Sequence, residues 1–183
     1  FGASARGMAT SGTGPDMAAH ANLAEHLIQT LNVVCGRFAR EGDPVAGAAV
    51  LGGGRAPRAE VIGPDRTWES GYRSASGHGL LQNQLPAVTL ADEILRTGDD
   101  RVRALIVSGG NPAASIPGHR KIVDALSELE LLVTIDPFLS ETARLAHYVI
   151  APVMHLERPD TTRAYESLFD RPFAQYTPAV LER

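Results

Sequence analysis

The second half of the chain alternates short apolar runs with amphipathic segments. The apolar runs predict strands, and they occupy residues 102–107, 131–135 and 148–151. The amphipathic segments predict helices, which fall at residues 90–95, at residues 122–129 and from Ser140 onward. Strands separated by helices favour a parallel sheet with right-handed crossovers. We therefore expect an α/β fold, with a Rossmann-like parallel sheet and helices on both of its faces.

The first half of the chain has one clear helical pattern. Four apolar residues fall at helical spacing within residues 20–35: Leu23, Leu27, Leu31 and Val34. They predict a buried amphipathic helix that begins near Asn22 and ends at Gly36. The sequence Gly-Thr-Gly-Pro at residues 12–15 precedes it, so a glycine turn would lead into the free N–H groups at the helix start. Such an arrangement is suited to an anion.

No regular pattern follows from residue 37 to residue 86, where Gly, Pro and Arg are frequent. Because this segment is too long for an ordinary connection, we interpret it as an irregular excursion packed over a site. We expect one α/β domain over residues 1–183, with the excursion at 37–86, a core of strands and helices at 87–152 and an extension at 153–183. Since the sequence opens on Phe and closes just after an apolar run, we expect a fragment of a larger protein.

Composition narrows the range of partners. The 183 residues include 17 basic and 21 acidic side chains, a net charge of −4, so we expect no nucleic acid partner. The single cysteine excludes a disulfide within the chain and an iron–sulfur cluster held by its own cysteines. No apolar run reaches the roughly 18 residues of a membrane span, so we expect no membrane contact and a cytoplasmic location.

Two loops carry the candidate chemistry. Gly-Gly-Asn-Pro at residues 109–112 follows the first predicted strand, and Asp-Pro-Phe at residues 136–138 follows the second. Because parallel strands end at one edge of a sheet, where ligands of such sheets bind, both loops are expected to line one crevice. Glycines let the backbone approach a phosphate or ribose, and Asn111 can both donate and accept hydrogen bonds. The alternative is that these residues only turn the chain after a strand.

Asp136 also has two interpretations. A carboxylate at this edge could accept the two parallel N–H groups of a guanine base, or the hydroxyl groups of a ribose. It could equally cap the next helix or pair with a basic side chain such as that of Arg144. The sequence alone leaves both interpretations open.

Candidate metal ligands are weak. Cys35 lies in line with the apolar face of the predicted helix and is expected to pack in the interior. His155 and Glu157 alternate along the chain but have no third ligand nearby. His20 and His26 are six residues apart and fall on different helix faces. We therefore expect neither a metal site nor a catalytic residue within the chain.

Several of these residues stand in an order that has a counterpart in a known family. The ordered segments are Ala104–Pro112, Leu131–Ala143, Ala146–Pro152 and Leu156–Arg158. Together they resemble the molybdopterin oxidoreductase family, of the dimethyl sulfoxide reductase and formate dehydrogenase type. Residues 12–38 are similar to the stretch that enters the same domain in that family. Residues 1–7 and 47–85 match poorly.

The resemblance implies a cofactor and a set of binding residues. The cofactor is bis(molybdopterin guanine dinucleotide) with molybdenum or tungsten, and each dinucleotide is held mainly by one of two related α/β domains. The chain resembles the later of these domains. By position, Gly109, Gly110, Asn111 and Pro112 would line the phosphate and sugar of the nucleotide. The guanosine end would be held by Asp136, Phe138 and Thr142, and the pterin side would be faced by Gly12, Gly14 and His20.

The chain also departs from the family. His147 and Tyr148 stand where many members carry Asp and Val, so no carboxylate role is assigned at that point. The family's cysteine cluster, its metal-ligating residue and its C-terminal barrel domain have no counterpart in these residues. Any iron–sulfur cluster is therefore expected elsewhere in the full-length protein.

The resemblance implies two-electron redox chemistry, in an enzyme similar to formate dehydrogenase, to which this fragment contributes cofactor binding and no catalysis of its own. Its expected partners are the remainder of its own polypeptide and redox subunits. The alternative is a non-catalytic scaffold module of a respiratory electron-transfer complex, with the same fold and no molybdenum. A third interpretation, an unrelated nucleotide-binding domain, is disfavoured because the Gly-x-Gly-x-x-Gly spacing is missing. Bound guanine nucleotide would distinguish the first interpretation from the others.

Overall fold

The structure is a computed structural model that describes residues 1–4, 7–44, 50–51, 58–63, 65–164 and 173–181. By their internal contacts the residues divide into two compact units. Unit 1 comprises Phe1–Ile62 and Thr161–Gln175, and unit 2 comprises Gly63–Asp160 and Tyr176–Arg183. The expected division of the chain into an excursion, a core and an extension stays a prediction.

Unit 1 begins with two helices. α1 is a single turn, Thr13–Asp16, and α2 is longer, Ala21–Val34. The buried side chain of Asn32 in α2 accepts a hydrogen bond from the backbone N–H of Ala9 at 2.9 Å and donates one to the carbonyl of Ala9 at 2.7 Å. A side-chain amide thus pairs with the backbone as a neighbouring strand would, and it holds the N-terminal segment beside α2.

The position of α2 confirms the predicted helix, but the prediction that its apolar face is buried was wrong. Leu23, Leu27, Leu31 and Val34 are between 44% and 78% exposed. The helix begins after His20 rather than at Asn22, and no side chain caps it. The physical reason is that helical spacing reports an apolar face and carries no information about what covers that face.

Unit 2 contains the regular part of the chain. Its main elements are α3 (Leu90–Leu95), β1 (Ala104–Ser108), α4 (Pro112–Ser115), α5 (His119–Ser127), β2 (Leu131–Ile135), α6 (Glu141–Leu145) and β3 (Tyr148–Ile150). Two further strands of two residues each are β4 (Asp160–Thr161) and β5 (Tyr176–Thr177). Across both units, 3-10 turns occur at Thr67–Glu69, Ala87–Thr89, His155–Glu157 and Thr162–Ala164.

The strands β1, β2 and β3 form a parallel sheet in that order. Ala104 lies opposite Leu131, and Val133 lies opposite Tyr148. Each strand follows its predicted apolar run to within two residues at either end. The α/β class and the parallel sheet expected from the sequence are confirmed.

The helices of unit 2 pack on one face of this sheet, in the part that the structure describes. Val107 and Leu132 face a core that also contains buried apolar residues of α3, α4 and α5. Ile106 and Tyr148 point to the other face, and they are 69% and 65% exposed. The sequence leads to helices on both faces, and the difference follows from strand order. Right-handed crossovers that step in one direction, from β1 to β2 to β3, place their helices on the same face.

Residues 65–89, which precede α3, form turns rather than long elements. Residues 74–78 make a tight turn in which the N–H of Gly77 donates to the carbonyl of Ser74, and the N–H of Ser74 donates to the carbonyl of His78, both at 2.8 Å. The buried Ser74 hydroxyl also accepts from the N–H of His78 at 2.9 Å. This segment is therefore ordered by its own hydrogen bonds. Within the described ranges no helix is long and apolar enough to cross a membrane.

Candidate functional site

The loops that follow β1 and β2 lie side by side at the carboxyl edge of the sheet. The N–H of Gly109 donates to the carbonyl of Ile135 at 3.0 Å, and the N–H of Asp136 donates to the carbonyl of Ile150 at 3.1 Å. The parallel pairing thus extends one residue beyond each strand. The prediction that these two strand ends are adjacent in one sheet is confirmed.

Asn111 connects the first loop to α6. Its side-chain oxygen Oδ1 accepts hydrogen bonds from the N–H of Thr142 at 3.1 Å and from the Thr142 hydroxyl at 2.8 Å. Its side-chain nitrogen Nδ2 donates to Oε2 of Glu141 at 2.6 Å. These three bonds join residues about thirty positions apart in the sequence. Two sequence-distant loops are thereby joined at this edge of the sheet, and the surface between them is called the crevice below.

Thr142 is fully buried beneath this crevice. Its hydroxyl donates to Asn111 and accepts from the N–H of Ala113 at 3.0 Å, so both of its hydrogen-bonding roles are used inside the protein. The resemblance implies that Thr142 holds the guanosine end of a nucleotide. A side chain without exposed surface can support such a site only through its neighbours.

Glu141 is an exposed residue of the crevice that the sequence did not single out. The hydrogen bond from Asn111 lowers the pKa of the Glu141 carboxyl, and its own backbone N–H and the charge of Arg144 contribute less. Glu141 is therefore ionised at neutral pH. The sequence feature that could have identified Glu141 is an acidic residue in the first turn of the helix after the second loop.

Asp136 shapes the second loop. Its Oδ1 accepts from the N–H of Phe138 at 2.9 Å, and its Oδ2 accepts from the Ser140 hydroxyl at 2.8 Å. Ser140 in turn is the N-cap of α6 and accepts from the N–H of Ala143 at 3.3 Å. Asp136 thus supports the capping residue without being the cap. Among the ion pairs of the described chain, none joins Asp136 to Arg144.

The glycine loop leaves room at this edge. Gly109 has φ +65°, which favours glycine, and a Cβ built there would meet nothing within 4 Å. Gly110 and Pro112 complete the turn into α4 and are half-buried. The Phe138 ring is 69% exposed. An open backbone, an amide donor, carboxylate acceptors and an exposed aromatic ring fit a nucleotide's phosphate, sugar and base.

The residues that the resemblance places at the pterin lie in unit 1. Gly12 and Gly14 are exposed and belong to the start of α1, where their carbonyls accept backbone hydrogen bonds from Asp16 and Met17. His20 is exposed, and it lines a cavity of about 430 Å³ formed by residues 18–23. Gly12 and Gly14 do not line that cavity. Their pterin role stays a prediction.

His147 and the candidate metal ligands have identifiable contacts. The ring nitrogen Nδ1 of His147 accepts a hydrogen bond from the backbone N–H of Leu132 at 3.0 Å. The backbone N–H of His147 donates to the carbonyl of Leu132 at 2.9 Å. It therefore fastens the start of β3 to β2. Glu157 accepts from the N–H of Met154 at 2.8 Å, and Cys35 is half-buried. In the described ranges no three His, Cys, Asp or Glu side chains are grouped so that they could hold a metal ion.

Comparison with known proteins finds several oxidoreductases. The chain is 30% identical over 95 residues to a probable oxidoreductase, YyaE, of Bacillus subtilis, which covers 52% of this chain and 14% of the relative. It is 29% identical over 133 residues to the assimilatory nitrate reductase catalytic subunit of the same organism, covering 66% of this chain and 19% of the relative. It is 26% identical over 156 residues to the molybdopterin-containing subunit of thiosulfate reductase, PhsA, of Salmonella typhimurium, covering 73% and 19%.

No protein-family model matches the chain. The chain spans less than one fifth of the length of the three relatives described above. It is thus similar, over half to about three quarters of its own residues, to a limited part of oxidoreductases that include a nitrate reductase and a molybdopterin-containing thiosulfate reductase.

Proposed function

We propose that this chain is part of a molybdopterin-dependent oxidoreductase and that unit 2 binds the guanosine half of a molybdopterin guanine dinucleotide. The proposed site is the crevice formed by residues 109–112 and 136–142. The single observation that carries the proposal is the set of three hydrogen bonds at Asn111, which accepts two from Thr142 and donates one to Glu141. These bonds join the two loops at the carboxyl edge of a parallel sheet, where ligands of such sheets bind.

Two further observations support the proposal. The order of segments along the chain resembles that of the molybdopterin oxidoreductase family, and a relative named as molybdopterin-containing is similar over 156 residues. Fold similarity by itself would not assign a function, so the donors and acceptors of the crevice have to carry the assignment.

The proposal gives separate roles to the metal and to the residues of this chain. When bound, the pterin-held molybdenum or tungsten supplies the two-electron redox step. This chain's residues bind and orient the nucleotide. Gly109 and Gly110 allow a close approach of the sugar and phosphate, while the polar side chains of the crevice hydrogen-bond to polar atoms of the guanosine.

Calorimetric titration of the chain with guanosine monophosphate and adenosine monophosphate tests the proposal. We expect the guanine nucleotide to bind more tightly. Asn111→Ala removes the residue that joins the loops and is expected to weaken guanine nucleotide binding by about tenfold or more, the effect of losing one hydrogen bond to a charged or strongly polar group. Gln175→Ala, a matched loss of an exposed side-chain amide in unit 1, should leave the affinity unchanged.

A second measurement uses the full-length protein in which these residues occur. Asn111→Ala should lower its pterin and molybdenum content per polypeptide, with the melting temperature as a control for folding. A chain that binds neither nucleotide, together with full cofactor content in the Asn111→Ala protein, would remove the crevice from the cofactor site.

A further inference from the structure

We propose that a cavity of unit 2 binds a small primary amine, with the ammonium group of that ligand on the carboxylate of Glu93. The cavity has a volume of about 240 Å³. It is formed by the segment before α3, by α3 itself and by the connection to β1, and its wall includes Tyr72, Leu85, Pro86, Thr89, Leu90 and Val102. None of these residues belongs to the crevice. The inference therefore does not depend on the proposed nucleotide site.

The carboxylate of Glu93 is a buried charge with room for another partner. The Glu93 side chain is 5% exposed. Its Oε1 accepts from the N–H of Ala75 at 2.5 Å, and its Oε2 lies 3.4 Å from Nη1 of Arg96. The second distance exceeds the roughly 2.7–2.9 Å of a charge-assisted hydrogen bond. Because a carboxylate can accept about four hydrogen bonds, a cationic ligand can add to these two contacts.

Two other polar groups of the cavity wall have no free proton to offer a ligand. The Thr89 hydroxyl donates to the carbonyl of Pro86 at 2.8 Å, so its oxygen is left as an acceptor. The backbone N–H of Val102 donates to the carbonyl of Glu93 at 2.9 Å. An ammonium group carries three N–H donors and no acceptor, so it matches a wall that presents acceptors.

The remaining wall suits a compact apolar body. Leu85, Leu90 and Val102 are half-buried apolar residues of the cavity. Tyr72 adds an aromatic ring, whose face attracts cations. Pockets for larger ligands start at about 300 Å³, so this cavity is suited to a single ring or a short alkyl chain that carries the amine.

The test compares benzylamine, which is a cation at neutral pH, with benzyl alcohol, which has the same ring and no charge. Calorimetric titration of the chain should show benzylamine binding about tenfold more tightly, because the alcohol lacks the charge-assisted hydrogen bonds to Glu93. Nuclear Overhauser contacts from the benzylamine ring to the methyl groups of Leu90 and Val102 would place the ligand in this cavity. Equal affinities, no binding of benzylamine, or binding without these contacts would each overturn the inference.

Glu93→Gln removes the charge and keeps the size of the side chain and one acceptor oxygen. We expect the ratio of the two affinities to fall to about one in this variant, with its melting temperature as the control for folding. Glu128→Gln is the matched control, because it neutralises an exposed glutamate at the end of α5 and should leave the ratio unchanged. A ratio that survives Glu93→Gln would show that the carboxylate does not bind the amine.

Arg96→Met tests the same carboxylate in the opposite direction. The guanidinium of Arg96 competes with the ligand for Oε2, and methionine keeps an unbranched side chain without the charge. Benzylamine binding should therefore strengthen by about two- to fivefold, the range of a partly exposed ion pair. Unchanged or weaker binding in this variant would mean that Glu93 and Arg96 form a purely structural pair and would overturn the inference.

Discussion

The carboxylate of Glu93 on α3 accepts a hydrogen bond from the backbone N–H of Ala75 at 2.5 Å, across 18 positions of sequence. Glu93 is only 4% exposed, and its other oxygen lies 3.4 Å from Arg96. The tight turn at residues 74–78 is thereby attached to the helix that precedes β1. Glu93→Ala should destabilise unit 2 by about 1.5–3 kcal/mol, because the N–H of Ala75 loses a charged acceptor.

Glu93→Gln is the control for this prediction, since it keeps an acceptor oxygen and should cost clearly less. Urea unfolding followed by the fluorescence of Trp68 measures both variants, because Trp68 is the sole tryptophan of the sequence and belongs to unit 2. Equal stability of the alanine variant and the wild type would show that the turn is not held by Glu93.

The burial difference between α2 and α5 gives a second prediction. Leu126 of α5 is fully buried, so Leu126→Ala should cost about 2–5 kcal/mol. Leu27 of α2 is 57% exposed, so Leu27→Ala should change stability by about 0.5 kcal/mol or less. Thermal unfolding followed by far-ultraviolet circular dichroism compares the two. A large loss of stability for Leu27→Ala would mean that the apolar face of α2 is covered in solution.

Thr134 offers a change that should stabilise the protein. Its hydroxyl is buried in the middle of β2 and has no hydrogen-bond partner among the described residues. Thr134→Val removes this unpaired group and keeps a β-branched residue in the strand, so we expect a gain of about 1 kcal/mol. Denaturant unfolding measures the gain. A loss of stability would show that the hydroxyl finds a partner, such as a water molecule.

Asp136 should matter for the local loop through both of its hydrogen bonds. Asp136→Ala removes the acceptors of the Phe138 N–H and the Ser140 hydroxyl, and we expect a loss of about 1 kcal/mol. Asp136→Asn keeps an acceptor for the Phe138 N–H and a donor for the Ser140 oxygen, so it should lose less. Melting temperatures of the two variants decide this. Equal losses would mean that the negative charge is what the loop requires.

The pH dependence of Glu141 provides a fifth prediction. The Asn111 hydrogen bond lowers the pKa of this carboxyl in the folded state. At pH values above the ordinary pKa of glutamate, the ionised Glu141 therefore contributes to the stability of the folded state. That contribution is lost as the pH falls through the lowered pKa. Asn111→Ala should raise the pKa of Glu141 towards its ordinary value, which an NMR titration of the carboxyl carbon measures.

Glu130 serves as the internal control in the same titration. Its pKa is lowered by hydrogen bonds from Arg103, at the opposite end of the strands, and should be unaffected by Asn111→Ala. An unchanged Glu141 titration in the variant would show that the amide is not its main partner.

The strands were predictable because apolar runs of this length have few alternatives. Residues 131–135 form β2 as expected, and Ser140 precedes α6 and caps it. The adjacency of the loops after β1 and β2 followed from the same reasoning, since parallel strands end together. These features depend on residues close in sequence and on the general geometry of crossovers.

The site itself was harder to predict. Asn111 and Glu141 form their hydrogen bond across 30 positions, and no local pattern reports such a contact. Thr142 lies in α6 after the second loop, and its complete burial depends on how α4 and α6 pack. The exposure of the apolar face of α2 was not predicted either. Helical spacing identifies an apolar face, but it carries no information about which residues pack against that face.

The strand order of unit 2 also bears on how the protein reaches its folded state. In the described part of the parallel sheet, β1 pairs with β2 and β2 pairs with β3, and a single short crossover separates each pair. Contacts between nearby parts of a chain form faster than distant ones, because less loop-closure entropy is lost before pairing begins. During synthesis β1 and β2 can therefore pair as soon as β2 has left the ribosome, and β3 can then add to a sheet that already exists. The carboxyl edge would then be assembled in the order of translation. Asn111 would gain its hydrogen bonds to Glu141 and Thr142 only after α6 has been synthesised.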